Sequence, residues 1–216
     1  MNAQFDSYDQ NYTETVNSAI AFSGLKVDFF SRVKVDYFIA LVESLRPPAA
    51  AAELIDIGCG VATSHQLLAG RVRRIVGVDV SPLCLAKAAE QNPLNEYRDY
   101  DGLNLPYPAA SFDVASAVCV FHHIPVERRL GLAEDVRRVL RSRGIFVIFE
   151  HNPLNPLTRH VVNNCEFDKD AILLRSWEAN NLLEDAGFSD IHTRYILTVP
   201  PRGHILRRLD RVFSRI

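Results

Sequence analysis

A short apolar run, Glu53 to Ile57, ends on Gly58-Cys59-Gly60, and this strand-then-glycine pattern constrains the fold more than any other feature of the chain. Glycines between a strand and a helix let backbone approach a ligand with no side chain in between. A second apolar strand is predicted over Arg74 to Val80, closing on Asp79-Val80-Ser81-Pro82. Ser81 then predicts an N-cap and Pro82 a first helical residue for a helix reaching Gln91. Glu96 to Tyr100 reads as a short third strand, and the nearly unbroken apolar run Phe112 to Val120 as a strand buried on both faces. Leu132, Val136, Val139 and Leu140 share one face of a helix over Pro125 to Arg141, with Gly144 as its cap and Ile145 to Phe149 as the fifth strand. Upstream, Phe30, Val33, Tyr37, Leu41 and Leu45 recur at helical spacing until Pro47-Pro48. Ser176 to Ala186 is another amphipathic helix stopped by Gly187, Ile191 to Val199 a sixth strand, and Ile205 to Ile216 a last helix. Strand and helix signals that alternate in this way predict a parallel sheet with helices on both faces.

With 216 residues, 48% of them hydrophobic and 23% charged, the chain has the material for one domain with a full core. Residues 1–48 are expected to form an N-terminal lid and helix, 49–150 a ligand-binding core, and 151–216 a substrate-side loop, helix, strand and basic helix. A net charge of −2 argues against a protein built to hold nucleic acid. The polar, acidic start lacks the features of a secretory signal, and no apolar run is long enough to span a bilayer as a helix. Cys59, Cys84, Cys119 and Cys165 are widely spaced, with no zinc-type pairing, so they read as free thiols of a cytoplasmic protein with no metal site.

The chemistry of the glycine turn narrows the ligand. Asp79 ends the next strand about 20 residues on, where a carboxylate accepts hydrogen bonds from a ribose. The third glycine of the dinucleotide fingerprint is absent, because Thr63 stands in its place. Asp56, just before the turn, would repel a pyrophosphate but suits the ammonium and sulfonium charges of a positively charged sulfur nucleoside. A nicotinamide dinucleotide, and with it an oxidoreductase, is the weaker alternative.

In order along the chain, these segments resemble the class I S-adenosylmethionine-dependent methyltransferases, in their small-molecule branch. Asp56, Gly58 and Gly60 match the first motif, and Asp79 the acidic ribose ligand. Asp101-Gly102-Leu103-Asn104-Leu105-Pro106-Tyr107 resembles the stretch that covers the adenine, with Asp101 near its exocyclic amine. Ser111-Phe112-Asp113-Val114 followed by Phe121-His122-His123-Ile124 resembles the fourth motif, and Leu183-Glu184-Asp185-Ala186-Gly187-Phe188 the run before strand six. The resemblance implies an α/β, Rossmann-like, doubly wound sheet of seven strands in the order 3-2-1-4-5-7-6, the seventh antiparallel. It implies S-adenosylmethionine as cofactor, S-adenosylhomocysteine as product, and a small-molecule acceptor methylated at oxygen, with carbon or nitrogen as alternatives. The implied cofactor contacts are Asp56, Gly58, Cys59, Gly60, Asp79, Val80, Asp101, Gly102, Leu103 and Val118, with Tyr8 and Tyr12 folding over as a lid.

His122 and His123, at the ligand end of strand four, are candidate general bases for a hydroxyl nucleophile; their alternative role is framework. Phe121, Glu150, His151 and Asn152 are candidate substrate contacts, and the prolines at 153 and 156 predict an ordered loop. No seventh strand can be placed before Ile216, so the sheet is expected to lack it, by truncation or by an unusual edge. The final helix sets Ile205, Leu209, Val212 and Ile216 against Arg207, Arg208, Arg211 and Arg215, a pattern open to membrane contact but more often packed on its own domain. A non-catalytic cofactor-binding module remains the further alternative to an enzyme.

Overall fold

A computed structural model describes residues 12–45 and 48–197 of the chain. Two N-terminal helices, α1 (Tyr12–Ile20) and α2 (Val27–Leu45), lead into β1 (Glu53–Ile57). There follow a four-residue helix α3 (His65–Leu68), β2 (Arg74–Asp79), α4 (Pro82–Gln91), β3 (Glu96–Asp99) and β4 (Phe112–Val118). The chain continues through α5 (Val126–Val139), β5 (Leu140–Phe149), α6 (Pro156–Asn164) and α7 (Ser176–Asp185). The strands form one parallel sheet in the order β3-β2-β1-β4-β5, with β1 at the centre between β2 and β4. This is the Rossmann-like arrangement the sequence predicts.

Successive strand residues point to opposite faces, and the core divides accordingly. On one face Leu54, Ile75, Val114 and Val147 pack against Val35, Phe38, Ile39 and Val42 of α2. On the other, Ile55, Ile57, Val76, Val78, Ala115 and Ala117 pack against Leu132, Ala133, Val136 and Val139 of α5. All five residues of β1 are buried, which explains its apolar run. At the amino end of the sheet Asp113 accepts from the Glu53 amide at 3.1 Å, and Arg141 donates to both Asp113 and Glu53. Asp113 is therefore a brace at the end away from the ligands.

Several boundaries differ from the sequence expectation for stated reasons. Gly144 does not cap α5. Helix α5 passes straight into β5, where Leu140 pairs with Phe112 before four residues loop out and Ile145 pairs with Val114. Gly144 belongs to that irregularity, where a Cβ would meet the Arg141 carbonyl at 2.8 Å. The stretch after Asn152 is not a loop throughout: Asn155 caps α6, accepting from the Leu157 and Thr158 amides, and Pro156 opens the helix. Residues 191–197 form no strand. Their side chains turn to α7, with Thr193 donating to Asn180 and Tyr195 sharing a hydrogen bond with Ser176, so among the described residues β5 is the sheet edge. Tyr8, the continuation of that segment to Val199 and the basic helix over 205–216 lie outside the described residues. No described helix is long and apolar enough to cross a membrane.

Gly77, in the middle of β2, shows how tightly the ligand end is packed. A Cβ there would lie 2.7 Å from the Cys59 sulfur and from two carbons of the Tyr97 ring. Overpacking of this kind costs about 1–3 kcal/mol. Gly77→Ala is expected to lower the unfolding free energy by that amount, seen as a lower urea midpoint with an unchanged denaturant slope; an unaltered midpoint would contradict the packing described.

Candidate active site

The carboxyl ends of β1, β2, β4 and β5 open into one hollow of about 1210 Å³, which also runs along the uncovered edge of β5. Val16, Ile20, Phe30, Lys34 and Tyr37 from α1 and α2 form one wall. The glycine turn forms its floor. Gly58 and Gly60 adopt φ of +64° and +54°, and Ala62 follows at +55°. The Cys59 amide donates to the Val78 carbonyl at 3.1 Å, extending the β1–β2 ladder past the strand. A Cβ on Gly58 would come within 2.6 Å of Val120, so that glycine is required by packing. Among the described residues other than its chain neighbours, a Cβ on Gly60 would meet nothing within 4 Å, so this face of the turn looks onto open cleft.

Two buried carboxylates hold the turn. Asp79 accepts from the Gly60 amide at 2.8 Å through one oxygen and from the Ser81 amide at 2.9 Å through the other. Burial raises its pKa, and those amides act in the opposite direction. Asp56 accepts from Ser116 at 2.5 Å and pairs with His65 Nε2 at 3.0 Å, while His65 Nδ1 lies 2.9 Å from the Tyr97 hydroxyl. With Nε2 donating to Asp56, Nδ1 is left to accept from the Tyr97 hydroxyl, so both neighbours are satisfied. Asp56 is thus a hub joining β1, α3, β3 and β4.

A third carboxylate works at the end of β5. One oxygen of Glu150 accepts from the Val120 and Phe121 amides, and the other lies 2.5 Å from His122 Nδ1. Burial opposes ionisation of Glu150, but His122 overrides it and the pKa falls. For His122, burial disfavours the cation, yet Asp168 and Glu150 raise its pKa to about 10. Burial and the neighbouring His122 together take His123 down to about 4. Cys119, just past β4, sits at φ +59° with Lys34 Nζ 3.6 Å from its sulfur. Burial pushes that thiol up, but Lys34 and His151 prevail and lower it to about 6.

The pattern of matches to known proteins agrees with this geometry. Residues 55–148 match the model of a family described as a methyltransferase domain. A probable S-adenosylmethionine-dependent methyltransferase of Mycobacterium tuberculosis is 27% identical over 173 residues, 76% of this chain and 56% of that protein. Squalene methyltransferase 2 of Botryococcus braunii is 30% identical over 166 residues, 69% of this chain and 43% of that protein. The chain therefore spans about half the length of these relatives. In fold, it is similar to an S-adenosylmethionine-dependent methyltransferase of Thermotoga maritima, with a TM-score of 0.67, 20% identity, and 94% and 89% of the two chains covered. The chain belongs to the class I S-adenosylmethionine-dependent methyltransferase family.

Within this family member, the expected cofactor residues Asp56, Gly58, Cys59, Gly60, Asp79, Val80, Gly102 and Val118 all line the hollow. Asp101 and Leu103 do not. Asp101 is exposed and accepts from the Leu103 and Asn104 amides, shaping the turn that presents Gly102, and Leu103 packs against the core. Tyr12 begins α1. On the acceptor side His123, Glu150, His151 and Asn152 line the hollow. Phe121 and His122 are fully enclosed instead, Phe121 within the core beside Phe146. Sequence reasoning missed His65, Ser116, Lys34 and Asp168, whose roles arise from residues brought together only by the fold.

The depressed Cys119 thiol is directly checkable. Iodoacetamide labelling, followed by mass spectrometry, is expected to rise through pH about 6 at Cys119, ahead of Cys59 and Cys165, whose thiols burial pushes up. Lys34→Met is expected to move the Cys119 curve to higher pH. Labelling that rises only near an ordinary thiol's pKa of about 8.5 would contradict this electrostatic assignment.

Proposed function

We propose that this chain binds S-adenosylmethionine in the cleft above the Gly58–Gly60 turn and transfers its methyl group to an oxygen of a small molecule. The observation that carries this is the open face of Gly60 beside the buried Asp79 carboxylate. Backbone there is accessible, a carboxylate stands ready for ribose hydroxyls, and Val80, Gly102 and Val118 bound the space with small or apolar groups. The donor set fits an adenosine with a positively charged tail better than a pyrophosphate, because the carboxylates Asp56 and Asp79 both line the hollow beside the turn.

The cofactor supplies an activated methyl on a sulfonium. The protein's part is then alignment and exclusion of water. Orientation of the reacting atoms alone is worth about 7–11 kcal/mol. Helices α1 and α2 wall one side of the hollow, and closure by the N-terminal segment that carries Tyr8 and Tyr12 would exclude water from the sulfonium. Of the two histidines proposed as bases, His123 is the one that faces the cleft. Its depressed pKa keeps it neutral at pH 7 but makes it a weak proton acceptor, so positioning carries more of the rate than base catalysis.

The walls describe the acceptor. His123, His151 and Asn152 contribute polar groups to the lining, and Val16, Ile20, Phe30, Leu157 and Val161 apolar ones. An acceptor with a hydroxyl at one end and an apolar body fits this division. A relative named for squalene supports the apolar body.

Asp79→Ala removes the ribose partner. Hydrogen bonds to a charged acceptor contribute about 1.5–3 kcal/mol. Calorimetry with S-adenosylhomocysteine is expected to show at least tenfold weaker binding in this variant, and an unchanged affinity would refute the role given to Asp79.

A further inference from the structure

Three side chains that sequence reasoning did not group converge at one point on the rim of the hollow. His122 and His123 stand in the 3₁₀ turn Phe121–His123 after β4, and Asp168 ends a second such turn, Glu166–Asp168. Asp168 Oδ1 lies 3.4 Å from His122 Nε2 and 3.5 Å from His123 Nε2, and one donor atom from each of the three residues falls within 4.8 Å of the others. In a tetrahedral site with metal–ligand bonds of about 2.0–2.1 Å, neighbouring donors stand about 3.3–3.4 Å apart. The Asp168 separations of 3.4 and 3.5 Å lie at and just beyond that edge.

The second observation is independent of the spacing. His122 is fully buried, and its Nε2 makes no well-formed hydrogen bond; Asp168 stands 3.4 Å away as an ion-pair partner only. A buried polar atom without a hydrogen bond is costly, so its persistence calls for an explanation. Its other nitrogen shows how the ring is set. Glu150 lies 2.5 Å from Nδ1, and the second oxygen of Glu150 is fixed by the Val120 and Phe121 amides. A carboxylate on Nδ1 orients the ring and aims Nε2 at Asp168, the outer-shell arrangement of histidines that bind metals; an ion would displace the proton held on Nε2 in its absence.

The scaffold around these donors is rigid. The Ile172 amide donates to the His122 carbonyl at 2.9 Å. Arg129, buried on α5, donates to the Ile124 and Ile172 carbonyls, clamping the histidine turn to the segment that follows Asp168. The three donors are therefore held in place by contacts that do not involve them. His123 and Asp168 line the hollow, so a fourth position would open toward the acceptor.

We propose that His122 Nε2, His123 Nε2 and the Asp168 carboxylate form a binding site for a first-row divalent metal ion of the Zn²⁺ type, with its open position facing the hollow. Two imidazoles and one carboxylate suit such an ion rather than Mg²⁺, which prefers oxygen ligands. Metal binding stands on this geometry alone. The ion's use, holding an oxygen of the acceptor, rests on the methyl-transfer reading; in that arrangement His123 is a ligand, not a base.

The test uses the full chain, stripped with chelator, dialysed and titrated with Co²⁺ and then Zn²⁺. One Co²⁺ per chain is expected, with the intense visible bands of a tetrahedral site, displaced by Zn²⁺. Asp168→Asn should abolish the bands and His123→Ala should weaken Co²⁺ binding at least tenfold, with circular dichroism reporting folding; if one variant misfolds, the other decides. Absence of stoichiometric Co²⁺ in the parent protein, or bands that persist unchanged in a folded variant, would overturn the site. S-adenosylhomocysteine calorimetry on the same samples separates the two readings, since its failure bears on methyl transfer and leaves the metal result standing.

Discussion

The Asp79 carboxylate, buried at the end of β2 and accepting from the Gly60 and Ser81 amides, ties the turn after β1 to the neighbouring strand. Without that tie, two glycines in left-handed conformations would be free to sample many others, since glycine loses more backbone entropy on ordering than any other residue. The Cys59–Val78 hydrogen bond supplies the second anchor. Between them these two contacts keep the face of Gly60 open to the cleft while Gly58 packs against Val120. Every functional role assigned to the cleft presupposes this shape.

The same device recurs along the sheet. Asp56 in β1, Asp79 in β2 and Glu150 after β5 each place an acid at the ligand end of a strand and direct it onto a neighbouring element. Asp56 takes side-chain partners, Asp79 takes backbone amides, and Glu150 takes two backbone amides and the His122 ring. Buried carboxylates are costly unless satisfied, and here both oxygens of each have partners. The result is a rim whose strand ends are tied to their neighbours by satisfied acids.

Much of the fold was legible because its signals are local. Apolar runs too short for helices gave β1, β2 and β4, and Ser81-Pro82 correctly opened α4, with Ser81 accepting from the Cys84 amide. The identical logic at Asn155-Pro156 would have found α6, had the nearby prolines not been read as loop. Gly144 looked like a helix cap because sequence cannot show that α5 runs directly into a strand already paired with β4. Residues 191–197 carry strand-like residues, but their partner is α7, a tertiary choice without a sequence signature. The site divides in the same way. The glycines, Asp56 and Asp79 sit in contiguous motifs, whereas the Asp56 partners His65 and Ser116 lie 9 and 60 residues away, and Asp168 reaches the histidines only through the fold.

The most direct measurement is calorimetric titration of the purified chain with S-adenosylhomocysteine and, separately, with NAD. The account predicts saturable one-to-one binding of the sulfur nucleoside and none of the dinucleotide, because the turn carries carboxylates where a pyrophosphate would have to lie. Binding of NAD with no response to S-adenosylhomocysteine would contradict it.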